Sequence, residues 1–257
     1  MKQTTYRKKG IRITQVWFPD ESPQQESKSD ILFIHGVENC NLYKNCMQNT
    51  FHTLISDLEQ TQDEIWSLIN KNVRYEIRRS MKEEVYCLSF SSGELLNKPE
   101  IIKQFADMYQ LMYHEKGITQ ALYMPQIEAY LKENMFLLTG IFTKESKPLV
   151  FHSYIVGEKC ARLLHSVSDF RSGSNDANLV ARANKRLHWE DICMFIKLGL
   201  KRYDWGGVSS IESPNGIDEF KFKFGGQPLT YYNVLKGKSL IGKILVMLLK
   251  IKNRNNG

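Results

Sequence analysis

The chain has 257 residues, 42% hydrophobic and 25% charged, with a formal net charge of +7. That length allows a real buried core, and the composition is that of a globular protein, neither disordered nor fibrous. No uninterrupted apolar run is long enough to span a bilayer, and the five cysteines (Cys40, Cys46, Cys87, Cys160, Cys193) lack the C-x-x-C spacing of a zinc site or disulfide framework.

In chain order, the basic opening "MKQTTYRKKGIRITQVWF" has no apolar segment of signal-peptide length, so the expectation is a cytoplasmic chain. Residues 10–18 and 31–36 read as strands, separated by a polar loop with two prolines. Phe51, Leu54, Ile55 and Leu58 have helical spacing, which predicts a helix over 47–59. A second helix is predicted from Thr61 to Lys82, then a strand at 85–90 and an amphipathic helix over 98–117. Pro125 opens a short helix that runs through Leu131. Three strands follow at 135–143, 147–157 and 159–169, with links short enough for an antiparallel meander. A long helix over 178–198 is closed by Gly199, and strands are predicted at 200–205 and at "LTYYNVL". Between these last two lies "GIDEFKFKFGG" (216–226), whose alternating Phe and Lys predict a strand with Phe220, Phe222 and Phe224 on one face. The fold class is therefore α+β, with a mixed, mostly antiparallel sheet and one strand–helix–strand crossover.

The stretch "ANKRLHWEDICMFIKLGLKRYDWGGVSS", followed by "GIDEFKFKFGG", resembles the C-terminal half of Fem-type transferases, a branch of the GNAT acyltransferase superfamily. The resemblance rests on Trp189 in the long helix, Gly199 at its end, "YDWGG" (203–207), and Phe220, Lys221, Phe224, Gly225 and Gly226 in register. The arginine-bearing stretch 65–88 is also similar to a helix and strand of that family. The resemblance implies a GNAT-like domain over 61–235, a partial N-terminal lobe over 1–60 and a separate basic tail over 236–257. It also implies that the segment at 216–226 is a short helix or loop, against the strand its period predicts.

From this resemblance come the candidate site residues. Direct transfer to an amine needs a route for the amine's proton and donors for the carbonyl oxyanion. In a GNAT-like fold the donor lies where two neighbouring strands splay apart, here 159–169 and 200–205. Asp204 is a candidate base or orienting carboxylate, with the alternative that it only fixes the glycine turn. Tyr203 is a candidate late proton donor, or else a core residue. Lys221 occupies the family's lysine position and would hold a phosphate or carboxylate of the substrate; a solvated lysine is the alternative. Lys223, Gly225 and Gly226 are candidate substrate contacts beside it. Lys71, Arg74, Arg78 and Lys82 recur at spacings of three and four, so they share a helix face able to grip a pyrophosphate or simply to stay solvated. His152, His165 and His188 have no metal-ligand spacing and read as structural.

The implied activity is that of an N-acyltransferase, an N-acetyltransferase-like enzyme without a metal. It would move an acyl group from an activated donor, acyl-CoA, to an amine of a cell-envelope or polysaccharide precursor such as a peptidoglycan peptide. Alternatives are a tRNA-dependent aminoacyltransferase, a non-catalytic binding module and, on the net charge of +7 alone, a nucleic-acid-binding protein. In the tail, Lys236, Lys243 and Lys250 recur every seven residues around an apolar run, the pattern of a basic helix lying on an anionic membrane surface through residues 236–254. Docking on its own domain or in a dimer would use the same pattern.

Overall fold

The computed structural model describes residues 1–19, 28–170 and 175–255. The N-terminal part runs β1 (Lys2–Lys8), β2 (Ile11–Trp17), β3 (Ile31–Val37), a 3-10 turn at Cys40–Leu42 and β4 (Met47–Asp57). Next come α1 (Gln62–Leu68), α2 (Lys71–Ser80), β5 (Val85–Ser91), α3 (Ser92–Leu96), α4 (Pro99–His114) and α5 (Met124–Lys132). The rest is β6 (Phe136–Thr143), β7 (Pro148–Val156), β8 (Cys160–Ser168), α6 (Ala177–Lys197), β9 (Arg202–Val208), α7 (Gly216–Phe222), β10 (Gln227–Gly237) and α8 (Leu240–Asn255).

The strands form one sheet in the order β1-β2-β3-β10-β4-β9-β8-β7-β6-β5. Neighbours are antiparallel except β2 with β3 and β8 with β9. The predicted α+β class and the crossover β8–α6–β9 are both present. The segment before residue 60 is continuous with the rest, because β10 lies between β3 and β4.

Helices cover both faces of the sheet. Strand β7 shows why: Phe151 and Ile155 enter the cluster under α3, α4 and α5, whereas Val150, His152 and Tyr154 face α6. Two-sided burial makes β7 nearly continuously apolar, and each large side chain removed from water there is worth about 1.5–3 kcal/mol. On the α6 face, Trp189, Ile192, Phe195, Tyr203, Trp205 and Phe224 form one cluster with Ile65, Ile69, Val73 and Ile77 from α1 and α2. Helix α6 starts at Asp176, whose side chain accepts from Asn178 N, and ends as predicted at Gly199. There Gly199 N donates to Ile196 O and Leu200 N to Phe195 O, the paired bonds of a Schellman stop, with Gly199 at φ +73°.

Four sequence expectations are corrected. Residues 47–57 are a strand, not a helix: a bulge between Thr53 and Ile55 shifts the pleat, so Phe51, Leu54, Ile55 and Leu58 acquire a spacing that imitates a helix. The single helix expected over 61–82 breaks at Ile69, and Asn70 caps α2 by accepting from Asn72 N. Lys82 therefore lies beyond the helix that carries Lys71, Arg74 and Arg78. Residues 216–222 are a helix, not a strand. Asn215 accepts from Ile217 N and Asp218 N while Asp218 accepts from Asn215 N, so a capping box outweighs the period of two. Finally, Lys236 belongs to β10, so only Lys243 and Lys250 of the seven-residue series lie on α8. Cys46, Cys87, Cys160 and Cys193 are free thiols; the Cys40 side chain lies outside the described residues.

Candidate functional site

The parallel pairing of β8 with β9 is short: Cys160 with Arg202, Ala161 with Tyr203 and Arg162 with Asp204. Beyond it, β8 stays paired to β7 through Ser168, while β9 pairs with β4 through Val208. The strands part at Gly206, whose φ is +70° and whose Cβ, if present, would lie 2.6 Å from the Leu163 carbonyl oxygen. Backbone groups of β8 past this point that would have bonded to β9 are released into the gap.

Asp204 is fully buried and both its oxygens are engaged. Oδ2 accepts from Arg162 Nε at 2.6 Å, and Oδ1 accepts from Thr53 Oγ1 at 2.6 Å and Gly206 N at 2.9 Å. This carboxylate thereby clips the β4 bulge, the Gly206 turn and Arg162 together. Tyr203 is equally buried, its hydroxyl 3.0 Å from His188 Nδ1 and 3.4 Å from the Tyr154 hydroxyl.

Tyr203 ends a buried polar chain that sequence spacing did not reveal. Tyr154 donates to Asp191 Oδ2 at 2.6 Å, His152 Nδ1 lies 2.8 Å from the same oxygen, and His152 Nε2 lies 2.8 Å from Asn184 Oδ1. Ser166 Oγ donates to that Asn184 oxygen at 3.3 Å. Burial, with Asp191 next, pushes the Tyr154 and Tyr203 phenols well above their ordinary value, so both keep their protons. Burial, then His152 and Lys221, holds His188 well below the ordinary histidine value, so its ring is neutral. These groups form one connected hydrogen-bond chain from Asn184 to Tyr203. His152, His188 and Asp191 have the donor types of a metal site, all within 4.8 Å of one another. Here, however, His152 and Asp191 bond to each other at 2.8 Å, closer than two ligands of one tetrahedral ion stand, and the set reads as a hydrogen-bonded network.

A cavity of about 290 Å³ opens at the wide end of the splay, lined by Ser168 at the end of β8, Phe170 beyond it, Asn184 and Lys185 of α6, Lys116 and Phe220. Lys185 is held below the ordinary lysine value by burial, against Glu76 and helped by Arg182 and Lys223. Across the edge of β9, Lys221 Nζ donates to the Gly207 carbonyl at 2.6 Å. Burial lowers its ionisation, with Asp218 and Asp204 opposing. The structure thus brings Lys221, Tyr203 and the turn of Asp204 to one crossover.

The other candidates separate from it. Lys223 is exposed and lines a different, shallow cavity with Leu68 and Asn70. Gly225 (φ +81°) and Gly226 serve packing: a Cβ on Gly225 would come within 2.6 Å of Leu68 Cβ, and one on Gly226 within 3.2 Å of Leu54 Cβ. Arg74 and Arg78 sit on α2, where the Arg78 guanidinium lies 5.3 Å above Trp66; neither lines a described cavity. Asn184, His188 and Asp191, which sequence reasoning did not join, stand at i, i+4 and i+7 on α6. That polar stripe within an otherwise apolar helix face was the available signal.

This topology has counterparts among solved structures. FemX superposes with a TM-score of 0.60 at 12% identity, over 80% of this chain and 72% of that one. The C-terminal domain of an Agrobacterium fabrum protein described as a lysylphosphatidylglycerol synthetase gives 0.55 at 11% identity, over 84% and 70%. The L-PGS of Bacillus licheniformis gives 0.52 at 12% identity, over 85% and 71%. The fold is of the Fem type, shared with FemX and with these two synthetase structures. No family model and no curated protein matches the sequence. In this Fem-type frame the N-terminus of α6 is already capped by a carboxylate, Asp176, whose Oδ1 accepts from Asn178 N at 2.9 Å.

Proposed function

We propose that the protein is an N-acyltransferase that forms an amide between an acyl or aminoacyl group and an amine of a cell-envelope or polysaccharide precursor. The observation that carries this reading is the parted β8–β9 pair with Lys221 fastened at its edge. A thioester donor such as acyl-CoA would supply the activated carbonyl: the acceptor nitrogen bonds to that carbon, the carbon–sulfur bond breaks, and the proton lost by nitrogen balances the one gained by sulfur. Backbone N–H groups of β8 released by the splay would stabilise the oxyanion. Lys221 would hold an anionic part of the substrate. Tyr203, with its proton retained and His188 behind it, would relay a proton, and Asp204 would keep the Gly206 turn in place. Lys116 and Lys185 would meet the donor's phosphates, because Asp176 already occupies the helix N-terminus where a pyrophosphate could otherwise bind.

That same cap favours a second reading, a binding module that keeps the GNAT-like cleft without using a donor. A third, aminoacyl transfer from tRNA, is motivated by the likeness to FemX. Incubation with labelled acetyl-CoA, longer acyl-CoA and charged tRNA, each with amine acceptors, separates them. Transfer from a thioester supports the proposal, and transfer from charged tRNA alone replaces the donor. No turnover with any donor leaves the binding module.

The proposal includes a membrane-peripheral location. Among the described residues no helix is long and apolar enough to cross a membrane. Helix α8 nevertheless exposes Leu240, Ile241, Ile244, Met247, Leu248 and Ile251, and docks mainly through Gly242 and Val246. Lys243 and Lys250 join Lys44 and Lys236 around a cavity beside it, a combination suited to anionic lipid.

A further inference from the structure

A cavity of about 810 Å³ lies at the opposite end of the β8–β9 pair from the splay, where Cys160 and Arg202 begin their strands. Its inner wall carries Arg162, whose side chain is only 5% exposed. A buried guanidinium is costly unless its donors are matched. Asp204 matches one of them, accepting from Nε at 2.6 Å. Among the described residues, the two terminal amino groups of Arg162 make no hydrogen bond.

The surroundings are shaped around this group. The guanidinium carbon lies within 5.2–5.9 Å of the ring centres of Tyr231, Phe51, Trp17 and Phe18, an aromatic box that stabilises a cation. Phe18 holds a φ of +53°, uncommon for a residue with a Cβ, and its ring lies where a Cβ on Gly157 would come within 2.6 Å. Gly36 also lines the cavity, and a Cβ there would approach Arg162 Nη2 to 2.8 Å. Glycine at that position clears the terminal donors. At the mouth, Lys201 is engaged by Glu59 and Arg202 by Glu38, while Lys159 and its neighbour Glu158 are both exposed and in no ion pair among the described residues, so the selectivity for an anion rests on Arg162 within the cavity and Lys159 only assists at the rim.

We propose that this cavity is an oxyanion-recognition site, in which the two free amino groups of Arg162 bind a carboxylate or phosphate of a small ligand in bidentate fashion and Lys159 attracts it from the rim. The site is separate from the donor cleft and does not depend on the acyltransferase reading. Its ligand class is an anion small enough to enter beside Gly36.

The test is isothermal titration calorimetry of the full chain with inorganic phosphate, phosphoethanolamine and succinate, at low and moderate salt. The expected result is saturable one-to-one binding to at least one of them; a preference for the first two assigns a phosphate, and for the third a carboxylate. Arg162→Lys removes the fork and is expected to weaken binding about tenfold or more. Lys159→Glu leaves the Arg162–Asp204 pair intact and is expected to weaken it severalfold, whereas Lys103→Glu on α4 changes nothing. The proposal is overturned if none of the three anions binds saturably up to about 10 mM, or if Arg162→Lys binds like the parent. Should Arg162→Lys fail to fold, Lys159→Glu decides alone, and unchanged affinity overturns the site. Turnover assays do not enter this readout, so its failure is distinguishable from failure of the proposed function.

Discussion

Gly206 abuts Leu163 so closely that a Cβ would stand 2.6 Å from the Leu163 carbonyl oxygen, at the point where β8 and β9 stop pairing. The contact sets how the two strands part. Gly206→Ala combines this overlap with a φ of +70°, a conformation that costs an L-residue about 1–2 kcal/mol. The expected outcome is a loss of about 2–4 kcal/mol of stability in urea denaturation. If the splay is the active cleft, transferase activity falls beyond the loss of folded protein. A neutral effect on both would show that the strands part without this glycine.

Tyr203 and Asp204 are adjacent yet make different demands. Tyr203→Phe removes a hydroxyl from the buried network and is expected to cost about 1–3 kcal/mol, since His188 Nδ1 loses its partner. If Tyr203 relays a proton, kcat falls about 10²-fold or more as well. Asp204→Asn leaves Arg162 as an uncompensated buried cation and is expected to cost about 3–5 kcal/mol. Chemical denaturation alongside single-turnover rates separates the two effects. A stable Asp204→Asn protein would contradict the clip described above.

Lys221→Ala is expected to leave the unfolding midpoint within about 0.5 kcal/mol of the parent, as for a partly exposed side chain, while weakening substrate use. The ionisation of Lys221 is lowered, so its charge is lost at a lower pH than an ordinary lysine's. KM for an anionic substrate should therefore begin to rise below the usual lysine range in the parent and lose that limb in Lys221→Ala. Kinetics unchanged by the substitution would remove Lys221 from the site.

Buried histidines give the stability a pH slope. His35 and His188 are held well below the ordinary value by burial, and His165 is lowered to about 4 for the same reason. Between the lowered folded value and the ordinary unfolded value near 6.5, the unfolded chain binds more protons. Stability is then full above about pH 6.5 and falls as pH drops, with each such histidine contributing up to about 1.4 kcal/mol per pH unit. Urea curves at pH 7.5, 6 and 5 should show this loss, and His165→Gln should flatten it. An identical slope in parent and variant would mean that His165 titrates alike in both states.

Helix α8 is expected to carry the protein onto vesicles containing phosphatidylglycerol and not onto neutral phosphatidylcholine vesicles. Replacing exposed Ile244 and Leu248 by Ser, or Lys243 and Lys250 by Glu, should abolish co-sedimentation; each lysine near an anionic surface is worth about 1 kcal/mol. Binding unaffected by both pairs of changes would take the helix out of the contact.

Much of this was legible in the residues alone. The meander β6–β7–β8, the helix α6 with its glycine stop, and β9 follow from hydrophobic period and turn residues, which act locally. The motif residues of "YDWGG" and the segment after it located the crossover. Where the sequence misled, the cause was a competing interaction. A bulge gave β4 a helical spacing, and a cap between Asn215 and Asp218 turned the first two of the alternating phenylalanines into a helix, beyond whose end Phe224 packs against Trp205.

Composition and period determined the α+β class and most of its elements, because side-chain burial on one face of an element repeats along the chain. Only the tertiary structure decided which polar groups meet. His152, Tyr154, Asn184, His188, Asp191 and Tyr203 come from three elements of the fold and join in one hydrogen-bonded chain. Arg162 and Asp204 meet only because β8 and β9 run side by side for three residue pairs before they part. Contacts between distant segments depend on register and bulges, and no spacing within one segment encodes them.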